Sequence, residues 1–152
     1  MKEYFQKGFS IVEMLAVVAI FILIASVVIF NFSSFRSNQA IKTAAQEILS
    51  SLDKARSNTL SSLSSSQYGV HFESGGIAIF QGASYQSSSS LNEYVNMPSP
   101  VSISSISLSG GGSDILFDRL TGGTSQDGTV IFGISGNSKT LTILKSGAFS
   151  IN

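Results

Sequence analysis

Residues 7–15 of the chain read KGFSIVEML and open an apolar run that continues to Phe32. A short leader with charged residues ends in Gly8, and Phe9 follows directly. Glu13 is then the only charged residue between Phe9 and Phe32. A helix of this length reaches about 35 Å at about 1.5 Å per residue, and the hydrocarbon core of a bilayer is about 30 Å thick. The stretch therefore predicts a membrane-length helix with one acidic residue near its beginning.

A cleaved secretory signal is the alternative for this segment. The apolar region of such a signal is about 7–15 residues long and ends in a small-residue cleavage site. The run here is longer, and residues 31–35 (NFSSF) contain no such site. Lys2 and Lys7 lie on the short N-terminal side, which favours a cytoplasmic N-terminus by the positive-inside rule. We expect a single-pass protein of the cytoplasmic (inner) membrane whose C-terminal domain lies on the outer, periplasmic side.

The composition argues against several classes of function. The 152 residues carry 9 basic and 9 acidic side chains, so no overall basic field attracts nucleic acid. There is no cysteine, hence no disulfide and no thiolate ligand or nucleophile. The glycine clusters match neither G-x-G-x-x-G nor a P-loop, and a single histidine leaves little scope for a catalytic triad. We therefore predict no enzymatic activity and no cofactor.

Helical periodicity resumes after residues 31–38. Apolar and small residues recur there at i, i+3 and i+4 spacing. They are Ile41, Ala44, Ala45, Ile48, Leu52, Ala55, Thr59 and Leu63. Neither Gly nor Pro interrupts residues 9–67, so the sequence predicts one helix of about fifty residues, ended by the serine-rich segment 61–66. Two helices broken at Ser33-Ser34 are the alternative.

From Tyr68 onward the hydrophobic period changes to two, which is typical of strands. Gly75-Gly76 predicts a hairpin turn, and residues 82–100 predict a surface loop with at most one short element. Ser104-Ser105 predicts a bulge. The predicted strands are 68–72, 77–81, 101–109, 115–117, 129–134, 140–145 and 148–151. The fold class is therefore α+β, in which a long N-terminal helix, transmembrane in its first half, packs on a C-terminal antiparallel sheet.

The polar residues of this second part offer little chemistry. His71 lies on a period-two strand and is predicted to point away from the apolar face into solvent. Three aspartates carry the ligand atoms that calcium takes, but their spacing is not that of an EF-hand, so no metal site is predicted. They are Asp114, Asp118 and Asp127. A phosphate-tracking groove needs clustered cations, whereas the cations here are dispersed. They are Arg119, Lys139 and Lys145.

Residues 7–15 resemble the class III prepilin signal of type IV pilins and type II secretion pseudopilins. That signal has a basic leader ending in Gly, then Phe, a short apolar stretch, Glu at the fifth mature position and a long apolar helix. The resemblance implies that prepilin peptidase cuts after Gly8 and that the new N-terminus at Phe9 is methylated. It also implies that Glu13 pairs with the N-terminus of a neighbouring subunit in a filament. Phe30 stands where many pilins have a kinking proline.

The rest of the chain resembles the GspH/FimT-type minor pseudopilins. The shared features are an Ala-Arg pair late in the helix, here Ala55-Arg56, an apolar-x-Phe strand before a glycine turn at 115–123, and a closing hairpin at Ser146-Gly147. The arginine usual after that Ser-Gly is Ala148 here. The implied pilin fold has a leader (1–8), a transmembrane and filament-core segment (9–35), an amphipathic helical segment (36–66) and a β domain (67–152).

The resemblance implies a structural function. The chain is expected to be a minor subunit of a type IV pilus or of a type II secretion pseudopilus. The expected partners are prepilin peptidase, other pilin or pseudopilin subunits, the inner-membrane assembly platform and the membrane itself. The alternative is a pilus-associated binding module that captures DNA or a secreted substrate, although the dispersed cations do not favour nucleic acid.

Overall fold

The computed structural model describes residues 8–152, apart from the side chains of residues 28–34. The predicted leader therefore lies outside the described residues except for Gly8, and so does the side chain of Phe30. Helix α1 spans Ile11–Leu60 (50 residues). This length agrees with the prediction of one helix of about fifty residues, and the alternative of two helices broken at Ser33-Ser34 falls on side chains that lie outside the described residues.

The chain divides into two compact units after Arg36, one residue from the predicted boundary. In the first unit, the described side chains of α1 are exposed all round. Across the helical segments whose side chains the structure describes, none combines the length and the apolarity that a membrane crossing needs.

Helix α1 ends at a run of serines, as predicted. A short 3-10 helix (Leu63–Ser65) follows, and Ser62, Ser64 and Ser65 have φ values of 50°, 51° and 53°. These left-handed conformations are costly for residues with a Cβ, so the chain stops propagating the helix here. The prediction that Leu63 continues the apolar stripe is wrong. Its side chain is 49% exposed, because the chain has left the helix before that position.

Among residues 8–152, eight strands form two four-stranded antiparallel sheets. They are β1 (Tyr68–Glu73), β2 (Gly76–Gln81), β3 (Glu93–Asn96), β4 (Ser102–Leu108), β5 (Asp114–Leu116), β6 (Gly128–Ile134), β7 (Asn137–Ile143) and β8 (Phe149–Ile151). The first sheet has the order β3-β2-β1-β5 and the second has the order β4-β6-β7-β8. The register of β4 on β6 shifts between Ile103 and Ser105, which confirms the predicted bulge.

The sheet arrangement corrects the prediction of a single sheet. Strand β5 does not pair with its sequence neighbours β4 and β6 but with β1, where Val70 stands opposite Ile115. Strands β4 and β6 pair directly with each other, although β5 lies between them in the sequence, and both belong to the second sheet. Strand β3, the short element of the predicted loop, closes the other edge of the first sheet by pairing with β2.

One hydrophobic core joins α1 to both sheets. The helix contributes a stripe of buried residues at the predicted spacing, and these are Ile41, Ala44, Ile48, Leu52 and Ala55. Strands of both sheets supply side chains to the same cluster, among them Phe72, Ile115 and Phe132. The α+β class and the packing of a helix on antiparallel sheets are therefore confirmed.

Candidate functional site

The N-terminal site of the sequence prediction lies at the beginning of α1. The Met14 N–H donates to the Ser10 carbonyl (3.1 Å) and closes the first helical turn, which contains Glu13. A carboxylate there lies near the positive end of the helix macrodipole, an arrangement worth about 0.3–1 kcal/mol at an exposed site. Ser10 and Glu13 also have the Ser-x-x-Glu spacing of a capping box. Glu13 therefore also suits the first turn of the helix, apart from any role in assembly.

Gly8 and Phe9 precede that turn and are accessible. The Phe9 side chain is 79% exposed, and a Cβ added at Gly8 would meet nothing within 4 Å. Within the described residues, no packing requires glycine at position 8. Gly8, Phe9 and Glu13 lie within one short stretch of the sequence, and their predicted roles stay predictions.

The apolar side chains that follow are largely exposed in the described part of the chain. Thirteen large apolar residues between Phe9 and Val27 are exposed, including Ile11 at 80% and Phe21 at 68%. Burying a side chain of this kind contributes about 1.5–3 kcal/mol. Covering the segment would thus contribute on the order of 20 kcal/mol or more. A helix that is apolar all round needs an apolar surrounding, which is either lipid or other protein surfaces.

Arg56 connects two loops at the end of the β domain. Its Nε donates to the Gly122 carbonyl (3.0 Å), and its Nη2 lies 3.5 Å from the Ser146 carbonyl. The turn at Gly147 needs a glycine, because φ is +75° and an added Cβ would overlap the Gly122 carbonyl oxygen. The late-helix Arg, the glycine turn and the closing Ser-Gly thus meet at one place.

His71 departs from its prediction. It lies on the face of β1 opposite Val70 and Phe72, as expected, but its side chain is only 20% exposed rather than solvated. Its Nδ1 contacts the Asp114 carboxylate, and its Nε2 lies 3.5 Å from Glu73 Oε1. The imidazole is thus held between two carboxylates on neighbouring strands.

Tyr85 covers this histidine from the loop after β2. The two rings are parallel within 7°, with centroids 3.9 Å apart. The Tyr85 hydroxyl donates to Glu73 Oε1 (3.1 Å) and lies 3.1 Å from the Tyr94 hydroxyl. The hydrogen bond to Tyr94, some burial and the Glu73 carboxylate together raise the pKa of the Tyr85 phenol. Sequence reasoning missed this cluster, although the i, i+2 spacing of His71 and Glu73 places them on one face of a strand.

The three aspartates considered as calcium ligands do not form a site. Asp114 pairs with His71, and within residues 8–152 no group of three or more His, Asp or Glu side chains is arranged to hold a metal. The basic residues considered as a possible DNA-binding surface lie on separate segments. Arg119 follows β5, Lys139 is in β7 and Lys145 follows β7. The DNA-binding alternative stays a prediction.

No protein-family model matches the chain, and neither does any curated protein or any solved structure. The functional argument therefore depends on the chain's own residues. The stretch with the most specific chemistry is the N-terminal one.

Proposed function

We propose that the chain is a pilin-like structural subunit, a minor pilin or pseudopilin of a type IV pilus or of a type II secretion pseudopilus. In this proposal prepilin peptidase cuts after Gly8, Phe9 becomes the methylated N-terminus, and the subunit assembles through the first part of α1. The single observation that carries the proposal is the register of Gly8, Phe9 and Glu13 ahead of the apolar run.

Membrane insertion in this proposal depends on the sequence, in which no charged residue occurs from Met14 to Phe30. The thirteen exposed apolar side chains support it, because their burial in lipid or against other subunits would drive both storage in the inner membrane and filament assembly. The C-terminal domain then lies on the periplasmic side until the filament forms.

In this proposal, filament assembly depends on cleavage of the leader because of Glu13. Cutting the Gly8–Phe9 bond creates an α-amine four residues before Glu13. A carboxylate among apolar side chains is costly unless it has a partner of opposite charge. The new amine of a neighbouring subunit is such a partner, so an uncleaved subunit would leave Glu13 unpaired and would pack poorly.

Intact-mass measurement of the membrane form with and without prepilin peptidase tests the cleavage step. We expect the wild-type chain to lose residues 1–8 only when the peptidase is present. Gly8→Leu is expected to stay uncleaved, and because space around Gly8 is open, this variant should fold normally. A wild-type N-terminus that remains at Met1 in both strains refutes the proposal.

Glu13 variants test the assembly step. Glu13→Ala should insert and be cleaved but should appear in sheared filament fractions at a much reduced level. Glu13→Gln keeps the size and removes the charge, so it should share the defect if charge pairing is the cause. Normal incorporation of both variants would contradict the pairing role, while leaving the cleavage result to stand separately.

A further inference from the structure

We propose that protonation of His71 fixes the serine-rich loop 82–92 on the first sheet. When the imidazole is protonated, its contacts with both carboxylates and with Tyr85 are all made, and they hold the loop in place. When it is neutral, one carboxylate contact and part of the contact with Tyr85 weaken, and the loop loosens. This inference concerns the β domain alone and holds whether or not the chain assembles into a filament.

The first step is the hydrogen-bonding capacity of the ring. Both ring nitrogens face a carboxylate, Nδ1 that of Asp114 and Nε2 that of Glu73 at 3.5 Å. An imidazolium carries a hydrogen on both nitrogens, whereas neutral imidazole donates from one and accepts at the other. Neutral His71 can therefore satisfy only one of the two carboxylates. The longer contact, with Glu73, is the one expected to be lost.

The second step carries this change to the loop through Tyr85. Its ring stacks on His71 at 3.9 Å, and a protonated imidazole is attracted to the face of an aromatic ring more strongly than a neutral one. Its hydroxyl shares Glu73 with His71. The loop is fastened further along by Tyr94, whose hydroxyl lies 3.1 Å from that of Tyr85 and donates to the Ser87 carbonyl (3.1 Å).

The charged surroundings of His71 make the sign of the response clear. Its own strand contributes Glu73, β5 contributes Asp114, and the loop contributes Tyr85 backed by Tyr94 on β3. Strand β2 (Gly76–Gln81) contributes no titratable side chain. The raised pKa of the Tyr85 phenol keeps that group neutral at physiological pH. Histidine is the side chain type whose charge ordinarily changes between about pH 5 and 8, so the proposal predicts that the loop is held less firmly as pH rises.

The chain has a single histidine, which makes the experiment specific. We suggest hydrogen exchange of segment 82–92 in the full chain in detergent micelles at pH 5.5 and 7.5, corrected for intrinsic exchange rates. The Cε1–H signal of the one histidine, followed by NMR in the same sample, reports its protonation. Since the two carboxylates are partly exposed, we expect protection of the loop to fall about two- to fivefold from the lower to the higher pH.

Three variants define the outcome. His71→Gln should show weak, pH-independent protection of the loop, and Asp114→Asn should reduce the response while leaving the fold intact. Glu93→Gln is the control: it removes an exposed ion pair between Glu93 of β3 and Lys54 of α1 (2.6 Å) and should keep the full response. The proposal is overturned if His71→Gln keeps the wild-type response, or if the wild-type histidine titrates without any change in loop protection.

Discussion

Thr59 is the residue that ties the end of α1 to the first sheet, and replacing it by Val tests how that junction is stabilised. Its side chain is fully buried, and its hydroxyl accepts the Tyr68 N–H (2.8 Å) while donating to the Ala55 carbonyl (2.9 Å). Valine has nearly the same shape and suits the buried position but offers no acceptor. The Tyr68 N–H would then lack this partner at the start of β1.

The expected cost follows from that one group. Leaving a buried donor without an acceptor costs about 1–3 kcal/mol, so Thr59→Val should lower the free energy of unfolding of the β domain by that amount. Thr59→Ser is the matched control, because it keeps the hydroxyl and loses only a methyl group, at a cost of about 1 kcal/mol. The two variants separate the hydrogen bond from the packing.

Urea unfolding of the full chain in detergent micelles measures both values, with tyrosine fluorescence reporting on the β domain. The slope of unfolding free energy against urea should stay the same in all three proteins, since the surface exposed on unfolding is unchanged. A Thr59→Val protein as stable as the wild type would refute the reasoning, because the Tyr68 N–H would then have no need of the hydroxyl.

Three further predictions concern the same domain. Leu52→Ala removes a side chain with 0% exposure and should cost about 2–5 kcal/mol in urea unfolding, whereas Leu91→Ala, at 65% exposure, should stay within about 0.5 kcal/mol. Gly147→Ala should lower the melting temperature more than Gly136→Ala, because both have positive φ but only the former would overlap a carbonyl oxygen; equal effects would contradict this. Spectrophotometric titration should show one phenol ionising above the ordinary value of 10.0, absent from Tyr85→Phe, and the stability due to that phenol should be lost as pH rises past this value.

The sequence predicted the parts of the fold that depend on neighbouring residues. The buried positions from Ile41 to Ala55 repeat over four turns, so local signals add up to one helix and one packed face. The Gly75-Gly76 turn likewise fixes the β1–β2 hairpin. Pairing of β5 with β1 was not predictable in this way, because it joins segments more than forty residues apart and depends on which strand edge remains free.

The same distinction between local and long-range contacts separates the two candidate sites. Gly8, Phe9 and Glu13 form a contiguous motif, so their spacing alone indicates the chemistry. The surroundings of His71 come from three segments, and only Glu73 is near it in sequence. Asp114 reaches it through the β1–β5 pairing and Tyr85 through the fold of a serine-rich loop. A solvated histidine was therefore predicted where the structure has a half-buried one.

The division of the chain into two compact units after Arg36 has a genetic consequence. The side chains at 11–27 are exposed, so substitutions there should leave the folding and proteolytic lifetime of the β domain unchanged. Under the proposed function, the same substitutions should abolish incorporation into filaments. Substitutions of buried residues at 41–59 should instead destabilise the β domain, so that the subunit is degraded and its abundance falls. A saturation mutagenesis screen that scores abundance and assembly separately should therefore divide one helix into two phenotypic classes.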